Sequence, residues 1–163
     1  MFKLQIKYLS FFFGIVSILS FFNILYSYYF NLYLNLDTYY FTLLASFILF
    51  ITFFKFGKYD IKSNIFQKIL TIFLGYLLIP LVLSIPFYFS IYNLTFSNSF
   101  FEAISGFTST GFTVFDNIKL IDQSLVIWRS STQWLGGLYF LFSIIYLIDI
   151  YDDSFKKTLT NYI

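Results

Sequence analysis

Four long apolar runs leave this chain few ways to fold. Tyr8 to Phe30 is 23 residues without a charge, and Tyr39 to Phe54 is 16, stretched to about 18 by its flanks. Ile69 to Phe96 is also uncharged, broken by Pro80 and Pro86, and Leu125 to Ile148 carries only Arg129. A bilayer core of about 30 Å takes roughly 20 helical residues, so each run is long enough to span, the second barely. Backbone groups in lipid must find partners within their own segment, which makes the runs helices. The first run exceeds a secretory h-region, and no small-x-small cleavage site follows it, so it reads as a retained span.

Composition agrees. The 163 residues are 59% hydrophobic and 11% charged, where a soluble domain carries about 25% charged residues. With no Cys, disulfide and thiolate chemistry are excluded. With no His, imidazole acid–base work and imidazole metal sites are excluded too. No basic face suited to nucleic acid is present. Together with the lack of paired intramembrane carboxylates, this leaves almost nothing to catalyse with, so an enzyme is not expected. The fold expected is an all-α integral membrane protein.

Lysine placement orients the spans. Lys3 and Lys7 precede the first; Lys55, Lys58, Lys62 and Lys68 lie between the second and third; Lys156 and Lys157 follow the fourth. Putting both termini in the cytoplasm places eight of ten basic residues inside, with Lys119 and Arg129 as exceptions. The link between the third and fourth spans then lies on the outer side. Asp149, Asp152 and Asp153 read as a solvated helix end mixed with lysines, in preference to a cation site.

That link is unlike its surroundings. Seven of the nine residues from Ser105 to Thr113 are Ser, Thr or Gly, and the segment from Pro86 to Leu125 is far longer than a helical connection needs. Ser99-Phe100-Phe101-Glu102 matches a capping box, with Ser99 capping and Glu102 reaching back. It predicts a short helix from about Phe100 to Ser105, ended by Gly106. Non-helical backbone at membrane depth survives only where it is buried in protein or lines water. A short helix followed by Thr108-Ser109-Thr110-Gly111-Phe112-Thr113 therefore reads as a re-entrant pore helix and filter loop. Bare carbonyls there can replace a cation's hydration shell, and Gly111 can take positive φ. An outer loop rich in small polar residues, without function, is the alternative that composition leaves open.

The stretch "FFEAISGFTSTGFTVFDNI", followed by "SLVIWRSSTQWLGG", resembles the first pore repeat of the Trk/Ktr potassium transporter family, in its TrkH-type membrane subunit. "SIPFYFS" upstream is similar to the end of that family's preceding helix, so the resemblance covers about Ser84 to Gly137. It implies four transmembrane helices plus one re-entrant loop: a leading helix pair in 1–62, then one membrane helix–pore loop–membrane helix repeat in 63–163. The complete family fold has four such repeats around one ion pathway. By resemblance, the filter is Ser109, Thr110, Gly111, Phe112 and Thr113, with Thr108 just below. Carbonyls of Thr108, Ser109, Thr110 and Gly111 would hold potassium, and Gly at position 111 implies potassium over sodium.

The resemblance also makes Arg129 and Gln133 structural braces, with snorkelling to the interface as the plainer reading for Arg129. Gln133, Gly136 and Gly137 share its helix face and are expected to pack on the pore helix. Where the family continues Gly-Gly-Met-Gly, this chain has Gly136-Gly137-Leu138-Tyr139, which puts close packing beyond Gly137 in question. The function implied is potassium uptake across a bacterial inner membrane, without a chemical cofactor. Its partners would be potassium, the bilayer, chains or segments supplying the other three repeats, and a cytosolic nucleotide-binding regulatory subunit. One filter strand cannot coordinate an ion unaided. The alternative is thus a truncated, non-conducting membrane protein, a remnant or an assembly partner.

Overall fold

The computed structural model describes residues 6–57 and 65–160, with side chains described except at 6, 119 and 148–160. Lys3, Lys58 and Lys62 lie outside the described residues, as do the side chains of Lys119, Asp149, Asp152, Asp153, Lys156 and Lys157. The described chain is helical throughout: α1 Ile6–Tyr29, α2 Leu36–Phe56, α3 Ile65–Leu83, α4 Ile85–Tyr88, α5 Phe96–Phe107 and α6 Gln123–Thr160. A single 3-10 turn, Ile118–Leu120, precedes α6.

Three stretches are long and apolar enough to cross a membrane: Lys7–Tyr29, Leu36–Phe56 and Ile65–Tyr88. The fourth run does not reach that standard within the described residues. Arg129, Gln133, four Ser/Thr residues and two Gly dilute the first half of α6; Arg129, Thr132 and Gly136 meet α5, while Trp134, Phe140 and Leu141 are exposed. Lys68, expected in the connection before the third span, instead sits on the first turns of α3. It is buried there, its ammonium 4.8 Å from the Tyr146 ring.

Helix α1 is the hub. Leu9, Phe12, Phe13 and Val16 are buried along it, and it packs on α2, α3 and α6. The α1–α2 seam is polar: Thr38, Tyr39, Thr42 and Ser46 are the buried residues of α2. Ser17 and Ser46 hydroxyls meet at 2.8 Å, and Ser20 Oγ donates to the Tyr39 carbonyl at 2.7 Å. Small hydroxyl side chains let helices approach closely where lipid offers no hydrophobic drive to associate.

The third run is interrupted near Pro86 but not at Pro80, which lies inside α3. Pro86 carries no N–H for a helical ladder, and the chain breaks at Ser84 between α3 and α4. The Leu83 carbonyl at the break accepts the indole N–H of fully buried Trp128 at 3.0 Å, from α6. That single bond ties the end of the third run to the helix after the loop. Helix α5 lies between them, packed against α3, α4 and α6.

Candidate functional site: the loop after α5

Helix α5 is twelve residues, Phe96–Phe107, twice the length of the predicted piece. Its buried positions are Ser99, Glu102, Ala103, Ser105, Gly106 and Phe107, a helical stripe against the rest of the chain. The predicted cap is displaced. Thr95, in extended conformation, is the N-cap, its hydroxyl accepting from Asn98 N at 3.3 Å. Ser99 lies inside the first turns and donates back to the Thr95 carbonyl at 3.0 Å. Glu102 therefore has no cap to close. The physical reason is that Thr95 offers a capping hydroxyl one turn upstream, while Ser99 and Glu102 lie on the buried face of the helix.

The C-terminal end differs as well. Ser109 N donates to Gly106 O at 2.9 Å, and Thr110 N to Ser105 O at 2.9 Å. This is a Schellman closure, with Ser109 at φ 55 as its left-handed residue. Gly106, expected to end the helix, is inside it. A Cβ there would overlap the Thr132 hydroxyl of α6, so close packing accounts for the glycine.

Glu102 is the pivot. Its side chain is fully buried and forms an ion pair with Arg129 Nε of α6. The same carboxylate accepts from Thr113 Oγ1 at 3.0 and 3.1 Å and from Val114 N at 3.0 Å. Arg129 Nη2 donates to the carbonyls of Gly111 and Phe112, each at 3.2 Å. Ser105 Oγ donates to Phe112 O at 2.8 Å. A buried carboxylate is tolerable because a cation and two further donors satisfy it. The loop's far strand is thus held by side chains from α5 and α6.

One expectation about the carbonyls changes. Gly111, at φ +83, turns its carbonyl to the guanidinium, which weakens that oxygen as a ligand for a second cation. The carbonyls of Thr108, Ser109 and Thr110 have no hydrogen-bond donor among the described residues. All three residues are exposed. Thr108 Oγ1 donates to Ile104 O at 2.7 Å and meets Thr110 Oγ1 at 2.8 Å, so the hydroxyls brace the strand internally. Phe112 is 68% exposed and Thr113 half-buried. Gln133 is half-buried and makes no hydrogen bond to the loop among the described residues.

Gly136 packs on the end of α5, where a Cβ would overlap the Phe107 carbonyl; Gly137 has open space beside it. Both line a cavity of about 300 Å³ with Tyr76, Phe107, Thr108, Ser109 and Phe140. Tyr139 is buried against Gly75 and donates to the Ile72 carbonyl at 2.9 Å. Packing beyond Gly137 is therefore close, with a tyrosine seated on a glycine of α3.

Sequence reasoning missed Thr95, Ser105 and the true work of Glu102. A signal was present for Glu102: it is the one charge between Ile69 and Val114, and Arg129 is the one charge of the fourth apolar run, so the two are natural partners.

Taken together, the fold defines an all-helical membrane chain in which a capped short helix delivers a strand with free carbonyls, pinned from two helices. The sequence is similar to Trk potassium uptake proteins over part of its length. It is 34% identical over 65 residues to an uncharacterized cation transporter of Methanocaldococcus jannaschii, covering 40% of this chain and 14% of the relative. It is 38% identical over 60 residues to the Trk system potassium uptake protein TrkI of Halomonas elongata, covering 37% and 11%. To TrkG of Escherichia coli K12 it is 30% identical over 106 residues, covering 60% and 22%. The matches thus span between 11% and 22% of these relatives' lengths. No family model matches the chain, and no solved structure gives a significant match.

Proposed function

We propose that the chain contributes one pore loop to a Trk-type potassium-uptake pathway. The observation that carries this is the row of undonated carbonyls at Thr108, Ser109 and Thr110, fixed on one side by the closure onto Ser105 and Gly106 and followed by residues 111–114, which the Glu102–Arg129 pair holds. Oxygen dipoles fixed in advance are what a dehydrated cation needs. The C-terminal end of α5 adds partial negative charge at the same place. The similarity to potassium uptake proteins supplies the cargo.

In this reading α6 is a fourth span, and α5 with its loop re-enters the membrane from the outer face. Residues 1–62 form a leading pair and 63–163 one pore repeat, with both termini cytoplasmic in a bacterial inner membrane. Chains or segments carrying three further loops complete the filter, and a cytosolic nucleotide-binding subunit regulates it. Potassium is the transported substrate, and no chemical cofactor takes part. By the resemblance, Gly at position 111 points to potassium over sodium, and its φ of +83 is one that glycine takes readily.

The test is growth of cells lacking their own potassium uptake, supplied with this chain and its flanking coding region, on limiting potassium. Growth that fails when the loop is deleted supports the reading. Growth indifferent to the loop contradicts it, and would leave a non-conducting membrane protein.

A further inference from the structure

Asn35 stands at the N-cap of α2, where an asparagine ordinarily accepts from its own helix's free N–H groups. Here its side chain makes no cap bond. It is 1% exposed and turned elsewhere. Oδ1 accepts from Ile91 N at 3.1 Å, and Nδ2 donates to Asp122 Oδ2 at 3.0 Å. Ile91 lies just before α5 and Asp122 just after the loop. One side chain of the leading pair therefore touches both ends of the segment that carries the filter strand.

The two ends are also joined directly. Tyr92 Oη accepts from Asp122 N at 2.7 Å and donates to Leu120 O at 3.4 Å. Behind them, Asp122 Oδ2 accepts from Ser124 Oγ, which meets Tyr39 Oη of α2 at 2.9 Å. Asn23 Nδ2 of α1 donates to Ser124 O at 3.2 Å. Closing a loop of this length costs entropy that grows with its span, and these bonds fix the closure from outside the loop.

We infer that Asn35 is a positioning residue for the loop: with Tyr92 it fixes both ends, so that the leading helix pair frames the filter strand. This rests on reading 108–113 as the ion-binding strand, and its test does not depend on transport. Amide hydrogen exchange is followed on the full chain in lipid nanodiscs, for the unaltered protein, Asn35→Ala and Tyr92→Phe. The second variant keeps the ring and removes only the hydroxyl. The expected result is exchange on the order of tenfold faster at 108–114 in both variants, with α1 and α3 unchanged. Faster exchange confined to Ile91 and Asp122 overturns the inference, since the loop would then hold its shape alone. A uniform rise across all helices in both variants overturns it too, because the bonds would then serve the whole fold. If the loop loosens as expected but the loop-deletion growth test fails, the frame stands and the transport reading falls.

Discussion

Helix α2 and the loop after α5 are held by opposite means. Helix α2 satisfies its backbone within itself and packs through four buried residues, three of them hydroxyl-bearing and not aromatic, together with half-buried Leu43, Leu49, Phe50 and Phe53, while Leu44, Phe47 and Ile48 face outward. The loop has no ladder. Its backbone from 111 to 115 is held by the side chains of Glu102, Ser105, Thr113 and Arg129, the last of them reaching in from α6. A helix in lipid tolerates change because no single side chain carries its backbone. The loop concentrates its stability in a few polar side chains, and those are where substitutions should cost most.

The largest effect is expected at Glu102. Glu102→Ala leaves Arg129, 12% exposed, without its partner and strips Thr113 and Val114 of their acceptor. A loss of about 3–5 kcal/mol follows from breaking a buried pair on one side. Unfolding in detergent micelles measures it, and a loss below 1 kcal/mol would mean the loop has other support. Next comes Gly136→Ala, whose methyl overlaps the Phe107 carbonyl. Overpacking at such a site costs about 1–3 kcal/mol, whereas Gly137→Ala, with open space, should change little. The contrast between these neighbours sharpens the assignment of which face meets α5.

Smaller still, Thr95→Ala should cost about 1 kcal/mol through the lost cap. Ser99→Ala should stay within about 0.5 kcal/mol, since its hydroxyl only returns to a carbonyl one turn back. The reverse order would restore the capping box. On α2, Ile48→Ala, 58% exposed, should also remain within about 0.5 kcal/mol. A large loss there would mean that this face is covered by another chain.

These contrasts also mark what the sequence could reveal. Uncharged length locates the first three helices, since burial of backbone in lipid leaves no other solution, and the break near Pro86 follows from a missing N–H. The small polar run locates the loop. The cap was misplaced because Thr95 and Ser99 both precede apolar residues, and only packing tells which turn is first. Glu102 matched a capping pattern whose local logic gave way to a long-range cation, a choice that spacing cannot show. Asn35 carries no local signal of its role, because its two partners are 56 and 87 residues away. The fourth run is the instructive case: its early polar residues belong to the site.

The central claim is that potassium meets the carbonyls of Thr108, Ser109 and Thr110, with Gly111 at the turn beside them. The direct measurement is uptake of potassium against sodium in cells lacking their own potassium uptake, carrying the full coding region with Gly111, Gly111→Ala or Gly111→Ser. Gly111 is at φ +83, so both substitutions strain the backbone alike, and the alanine isolates the hydroxyl. The account predicts potassium uptake with sodium excluded for Gly111, and sodium entry raised by serine well beyond alanine. Equal discrimination in all three would contradict it.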